Sequence, residues 1–183
     1  MKILLGARNR HIQVDPFQLK CTEDFIKLKN EDPKAYYRAL YELANAFFFE
    51  NVLSIFLAPD IPEEILELLY DKYADNPGLN RVLENIIKYT DTPEYLVDKC
   101  AESKVAYYRK LVASRPDLSE DTILKLSEDS NPNVKIALAY NYTTPVEILE
   151  KLTQDPDIDV NQAATRELEY RQRMHDYFTR DNA

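Results

Sequence analysis

The sequence predicts an all-α protein, and more specifically a right-handed α-solenoid of short helical repeats with a period of about 26 residues. Residues 91–116, 117–142 and 143–168 align as three successive rows of 26 residues without a gap. Apolar residues share columns of this alignment, and each row holds two segments with helical spacing. A fixed period of roughly 20–50 residues is the sequence signature of a stacked-repeat architecture.

The shared columns identify the predicted core. Cys100, Leu126 and Leu152 form one column, Tyr108, Val134 and Val160 form a second, and Leu111, Ala137 and Ala163 form a third. Since free cysteine is usually buried, we expect Cys100 to pack as a small apolar residue without a redox role.

Helix start signals open the segments of the rows. Thr92-Pro93, Leu118-Ser119 and Thr144-Pro145 open the first segments, and Asn131-Pro132 and Asp155-Pro156 open the second segments. Short polar side chains cap free helix amides, and proline fits the first helical position. Each segment spans only two or three turns, which is too short for an isolated helix in water. Stacking of successive rows is therefore expected to bury them.

The last row contains the pattern T-P-x-E-I-L-x-K-L followed by D-P-x-x-x-V-x-x-A-A. This pattern resembles the variant leucine-rich repeat family, which is close in appearance to HEAT-like repeats, and the resemblance covers roughly residues 58–168. It implies an α-solenoid of alternating α and 3₁₀ helices. One member of that family carries four N-terminal cysteines that hold an iron–sulfur cluster. This chain has only Cys21 in that region, so the resemblance implies no cluster here.

The remaining segments complete a single α-solenoid domain over residues 1–183. We expect an N-terminal cap at 1–21, a divergent repeat at 22–57, the repeats at 58–168 and a C-terminal capping helix at 169–183. The segment Ala35–Leu40 nearly repeats the letters of Ala106–Leu111. Helical spacing predicts that the apolar stripe of the divergent repeat consists of Tyr37, Leu40, Tyr41, Ala44 and Phe48.

Composition excludes several classes of function. The formal net charge of −9 and the lack of a basic stripe argue against direct nucleic-acid binding. No apolar run approaches the ~18 residues of a membrane span, and the apolar part of MKILLGARNR is too short for a signal peptide. Two cysteines make no disulfide framework, so a cytoplasmic location is expected.

The sequence predicts no catalytic or metal site. His11 and His175 lie near opposite ends of the chain, which a solenoid keeps apart. Asp155, Asp157 and Asp159 form a D-x-D-x-D pattern but lack the glycine and the distal glutamate of a calcium loop. We therefore expect a protein that is not an enzyme and that needs no cofactor and no metal.

The predicted function is that of a non-catalytic protein-binding adaptor or scaffold, because stacked repeats offer extended binding faces. Residues beside the core columns should leave the stack toward one common face, and the candidate partner-binding residues are Tyr107, Arg109, Asn133, Lys135 and Asn161. Tyrosine and arginine are frequent anchors of interfaces. The expected partner is another protein, with a basic protein as one option, and neither a nucleic acid nor a membrane.

Two alternatives remain open. The acidic chain could be a small inhibitor or nucleic-acid mimic that occupies a basic cleft of a partner protein. A second docking surface is also possible on the C-terminal helix, where one helical face carries Tyr170, Met174, Tyr177 and Phe178. That face would either cover the end of the stack or dock a partner or a second copy of the chain.

Overall fold

A computed structural model of the chain describes residues 14–46, 48–74 and 80–180, apart from the side chains of Phe49, Asn80 and Arg180. Within these ranges the regular elements are eleven α-helices and two 3₁₀ helices, with no strand. The prediction of an all-α protein is therefore confirmed. Among the helices so described, none is both long enough and apolar enough to cross a membrane. The chain divides into two compact units, Met1–Pro93 and Glu94–Ala183.

The first unit is arranged around helix α2. Its elements are η1 (Pro16–Gln18), α1 (Thr22–Glu31), α2 (Pro33–Ala44), α3 (Phe49–Leu53), η2 (Ser54–Leu57), α4 (Glu63–Tyr73) and α5 (Asn80–Lys88). Helix α2 packs against α1, α3, α4 and both 3₁₀ helices, while α5 packs against α4. Asp32 starts α2, because its side chain accepts a hydrogen bond of 3.0 Å from the amide of Ala35.

The predicted apolar stripe of α2 was wrong for two of its tyrosines. Tyr37 and Tyr41 are 54% and 58% exposed, whereas the neighbouring Tyr36 is fully buried. The hydroxyl of Tyr36 donates a hydrogen bond to the carbonyl of Pro59, which satisfies the buried phenol. Helical spacing alone did not show which of two adjacent tyrosines faces the core. Phe48 is exposed and lies outside α2, at the start of α3.

The second unit consists of three pairs of helices. Its elements are α6 (Glu94–Ala101), α7 (Ala106–Ala113), α8 (Glu120–Ser127), α9 (Pro132–Ala139), α10 (Val146–Leu152) and α11 (Ile158–Arg180). Within the pairs, α6 packs on α7, α8 on α9 and α10 on α11. Between the pairs, α7 contacts α9 and α9 contacts α11, while α6 contacts α8 and α8 contacts α10. The second segments of the first two rows, α7 and α9, are α-helices and not the 3₁₀ helices that the family resemblance implied.

Two of the three predicted core columns are fully buried in this unit. Each residue of the first two columns is at most 2% exposed, namely Cys100, Leu126, Leu152, Tyr108, Val134 and Val160. In the third column Ala163 is buried, while Leu111 and Ala137 are half-buried. Burial raises the pKa of the Cys100 thiol to about 12, because an apolar environment disfavours the thiolate. This pKa agrees with a packing role for Cys100.

The start signals of the helices have two different roles. Ser119 accepts a hydrogen bond from the amide of Thr122, and Asn131 caps α9 as predicted. The prediction was wrong for Thr92 and Thr144, whose hydroxyls each donate a 2.6 Å hydrogen bond to a carbonyl of the preceding helix. Pro93 and Pro145, which follow these threonines, come directly before the first residues of α6 and α10.

Helix α11 continues past Leu168, where the row length predicted the end of the last repeat. Residues 169–180 do not form a separate capping helix, because α11 runs without a break from Ile158 to Arg180. Its first half packs in a core cluster with α9 and α10 through Val160, Ala163 and Ala164. No proline or glycine interrupts the helix, so nothing in the local sequence ends it at the row boundary.

Candidate protein-binding surface

Arg109, a predicted binding residue, connects two successive helix pairs. From α7, its Nε and Nη2 atoms donate hydrogen bonds of 2.6 and 2.9 Å to the two carboxylate oxygens of Asp129, which lies between α8 and α9. Its Nη1 atom donates to the carbonyl of Ser103 at 2.7 Å. The side chains of Arg109 and Asp129 are only 16% and 6% exposed. This is a bidentate and largely buried ion pair, in which geometry as well as charge contributes to the interaction.

Lys135 makes the same contact one row later. Its Nζ lies 2.5 Å from Oδ2 of Asp155, and the two side chains are 13% and 10% exposed. In both pairs the partner follows 20 residues later in the chain. Asn161, the third residue of this column, donates its side-chain amide to the carbonyl of Thr153. The solvent-facing orientation expected for Arg109 and Lys135 is therefore wrong, because their charged ends point into the fold.

A second series of ion pairs lies on the exposed side of the same unit. Lys125 Nζ is 2.5 Å from Oε1 of Glu102, and Lys151 Nζ is 2.7 Å from Oε1 of Glu128. Each lysine follows its partner by 23 residues. These side chains are about half exposed or more, so solvent screening weakens each pair and leaves it little effect on stability.

Tyr107 and Asn133 come together at an open groove. The groove has a volume of about 330 Å³ and is lined by Ala106, Tyr107, Lys110, Asn131 and Asn133. Tyr107 is 45% exposed, and its ring lies 5.9 Å from that of the buried Tyr108. Of the five predicted residues, these two reach one open surface, and the other three are engaged within the fold.

Lys110 and Asn131 line the groove but were not among the predicted binding residues. Lys110 follows Tyr107 by three positions in α7, a spacing that places both on one helical face and could have identified it. Asn131 caps α9 by accepting a 3.0 Å hydrogen bond from the amide of Asn133. Its capping role was predicted, but its place at the groove depends on the packing of α9 beside α7.

The alternative docking face on α11 is exposed. Tyr170, Met174, Tyr177 and Phe178 are 52%, 36%, 61% and 60% exposed, and the rings of the last two meet edge to face at 5.5 Å. Next to Tyr170, Arg171 donates hydrogen bonds of 2.6 and 2.9 Å to the carbonyls of Thr144 and Asn141. Capping of the helix pairs thus involves α11 up to Arg171, and residues 172–179 beyond it are exposed.

The described residues contain no group of three or more histidine, cysteine or acidic side chains arranged to hold a metal ion. Asp155 and Asp157 have structural contacts instead. Asp155 pairs with Lys135, and Asp157 accepts hydrogen bonds from the amides of Asp159 and Val160 in the first turn of α11.

The ion pair of Asp129 makes stability depend on pH. Burial by itself raises the pKa of Asp129, but hydrogen bonds from Arg109 and from the amide of Asn131 outweigh it and hold the pKa below its usual value. A lowered carboxyl pKa in the folded state stabilises the fold above the unfolded pKa of about 3.9. This stabilisation is lost as the pH falls through the folded-state pKa.

We expect the free energy of unfolding of the natural chain to fall as the pH drops from about 5 to about 2. In Asp129→Asn the decline should be shallower, since the substituted amide does not titrate. Urea unfolding followed by circular dichroism at several pH values measures both slopes. Parallel slopes for the two proteins would show that Asp129 has no such linkage.

The chain matches no protein-family model, no curated protein and no solved structure.

Proposed function

We propose that the chain is a short α-solenoid that binds a partner protein at the groove beside Tyr107 and acts as a non-catalytic adaptor or scaffold. The repeated ion pairs support the solenoid part of this proposal. Arg109–Asp129 and Lys135–Asp155 occupy equivalent positions of two rows, and so do Lys125–Glu102 and Lys151–Glu128. The resemblance of the rows to variant leucine-rich and HEAT-like repeats supports the same architecture.

The groove beside Tyr107 is the observation that carries the binding function. A half-exposed tyrosine offers a large contact area at a small cost in conformational entropy, which makes it a frequent anchor in interfaces. Lys110 and Asn133 line the same groove and supply a cationic amine and an amide for polar contacts. A groove that offers the ring of Tyr107 together with these polar groups suits a peptide segment of a partner protein.

The scaffold beneath the groove supports preorganised binding. Arg109 belongs to the same helix as Tyr107, and its bidentate pair with Asp129 fixes α7 against the segment that leads into Asn131. Asn131 in turn fixes the first turn of α9. Because both walls of the groove are held by hydrogen bonds, binding needs little ordering of the site, and less affinity is lost to conformational entropy.

Tyr107→Ala is the direct test of this surface. We expect the immobilised variant to lose at least one protein that the natural chain captures from an extract of its source cells, with a loss of affinity of about tenfold or more. Tyr142→Ala is the matched control, because Tyr142 is 74% exposed and does not line the groove. Quantitative mass spectrometry of the captured proteins, with circular dichroism of each variant, provides the measurement.

Capture by Tyr107→Ala at the level of the natural chain would contradict the groove as the binding site.

The dependence on salt separates the acidic-inhibitor function from the adaptor function. A charge-driven mimic loses its basic partner steeply as salt screens exposed charges, whereas binding anchored by an aromatic ring depends less on salt.

A further inference from the structure

The polar side chains of the groove beside Tyr107 narrow the chemical class of its partner. Lys110, Asn131 and Asn133 line the groove with Tyr107 and Ala106, and no acidic side chain is among its described lining residues. The amine of Lys110 and the side-chain amide nitrogens of Asn131 and Asn133 donate to no other residue in the part of the chain that the structure describes. These three donors can therefore bind an acceptor that a partner brings.

The groove is a local exception in an acidic chain. The formal net charge is −9. The first turns of α7 and α9, which form the groove, carry no acidic residue. The first turns of the partner helices α6, α8 and α10 do carry acidic residues, namely Glu94, Glu120, Asp121 and Glu147. The charge of the whole chain favours a basic partner, whereas the chemistry of this groove favours an acidic group.

The equivalent positions one row later have the opposite chemistry. Counting 26 residues onward, Lys110 is replaced by Ile136, and the two asparagines of the groove are replaced by Asp157 and Asp159. These positions lie in α9 and at the start of α11, two helices that pack together as α7 and α9 do. An anion that fits the groove beside the lysine is therefore disfavoured at the equivalent place in the next row.

We infer that the groove binds a segment of the partner protein that carries an aspartate or glutamate, with the carboxylate at Lys110. This inference rests on the proposed function, because it names the partner of the same groove. The amine of Lys110 donates a charge-assisted hydrogen bond to the carboxylate. The amides of Asn131 and Asn133 donate to the second carboxylate oxygen or to backbone carbonyls of the segment. The ring of Tyr107, which is 45% exposed, packs against an apolar side chain of the segment.

The carboxylate belongs to a side chain in this arrangement and not to the end of a chain. The groove is open along the surface between α7 and α9, so a continuous peptide segment can pass through it. Because the groove chemistry is not repeated in the next row, we expect one segment to bind per chain.

Selection from a library of short random peptides, displayed within a carrier protein, tests this inference on the full chain. We expect the peptides that bind the natural chain and not Tyr107→Ala to carry an acidic residue close to an apolar one. Fluorescence anisotropy of one selected peptide, synthesised with an amidated C-terminus, then measures its affinity and its stoichiometry.

Two variants of the groove test the position of the carboxylate. Lys110→Glu should weaken binding of the selected peptide by about tenfold or more, because it places a like charge against the carboxylate. Asn133→Asp gives the groove the charge that Asp159 has in the next row and should weaken binding by about threefold or more. Lys34→Glu is the matched control, since Lys34 is exposed, pairs with no described residue and does not line the groove. It changes the net charge as Lys110→Glu does and should leave the affinity unchanged.

An exchange of charges separates the ion pair from damage to the fold. A peptide with lysine in place of its acidic residue should bind Lys110→Glu more tightly than it binds the natural chain. A variant that merely loses structure cannot gain affinity in this way. Circular dichroism checks that each variant remains helical.

Selected peptides that require Tyr107 but carry no acidic residue would overturn this inference and leave the proposed function in place. A selection that yields no peptide dependent on Tyr107 would overturn both. Equal losses for Lys110→Glu and Lys34→Glu would overturn the inference as well, because the net charge would then explain them. Binding that needs a free C-terminal carboxylate, or binding to anionic lipid vesicles in place of peptides, would assign Lys110 to a different ligand and overturn it too.

Discussion

Replacing Leu126 with alanine is expected to lower the free energy of unfolding by about 2–5 kcal/mol, the range for truncation of a packed core leucine. Leu126 is fully buried in α8, in the column that it shares with Cys100 and Leu152. Truncation removes contacts to neighbouring side chains and leaves a cavity that the short helices fill only in part. Urea denaturation followed by circular dichroism measures the loss.

Leu124→Ala is the matched control in the same helix. Leu124 is 48% exposed, so its truncation should cost only about 0.5 kcal/mol, near the range of surface substitutions. The two variants share the residue type, the helix and the change in volume, and they differ in burial. Equal losses of stability would contradict the assignment of the core column.

The second large effect is expected for Asp129→Ala, with a loss of about 3 kcal/mol, the lower end of the range for breaking a buried ion pair. The substitution removes the two carboxylate acceptors of the Arg109 guanidinium and leaves it the carbonyl of Ser103, although the Arg109 side chain is only 16% exposed. The amide of Asn131 also loses the Asp129 carboxylate, to which it donates at 2.8 Å. An unfolding titration at neutral pH gives the difference in free energy.

Glu102→Ala serves as the comparison, because it breaks an ion pair of the exposed series. The side chains of Glu102 and Lys125 are 63% and 48% exposed, so solvent screening leaves this pair little effect on stability, and the loss should be clearly smaller than for Asp129→Ala. If the two substitutions had the same small effect, the Arg109–Asp129 pair would not be the stabilising contact that its burial indicates.

The periodicity of the sequence predicted the helical class and the buried columns. Burial of Leu126, Val134 and Val160 follows from apolar residues that recur with the row length, because equivalent positions of successive helix pairs meet equivalent neighbours. The same reasoning failed for Tyr37 and Tyr41. Five of the six letters of Ala35–Leu40 match those of Ala106–Leu111, yet Tyr36 is buried in the first segment and Tyr108, which aligns with Tyr37, in the second.

The candidate surface was harder to predict, because a charged side chain beside a core column can either face solvent or pair with an opposite charge inside the fold. Arg109 and Lys135 were expected to face solvent, and the structure directs both toward aspartates of the next helix pair. The signal was present in the sequence, since Asp129 and Asp155 recur with the same period as the two basic residues. Because Lys135 pairs with Asp155 and is largely buried, Lys135→Ala is expected to lower the free energy of unfolding, whereas a solvent-facing lysine would contribute little.

The length of α11 was also missed, for a different reason. The row boundary at Leu168 suggested that a new element begins at Glu169, but helices end at local signals and not at a count of residues. Neither glycine, the usual residue at a helix C-terminus, nor proline occurs between Ile158 and Arg180. Met174, Tyr177 and Phe178 are exposed because the helix continues past Arg171, whose guanidinium donates hydrogen bonds to carbonyls of the preceding helix pairs.

The constant sequence separation of the ion pairs has a consequence for evolution. Removal of residues 117–142 would leave Arg109 20 residues before Asp155 and Glu102 23 residues before Lys151, the separations that the present pairs have. Duplication of the same stretch would likewise generate complete pairs at the one new junction. In the solenoid that we propose, the gain or loss of whole 26-residue rows therefore preserves the ion pairs between successive helix pairs. An insertion of another length between the partners changes their separation.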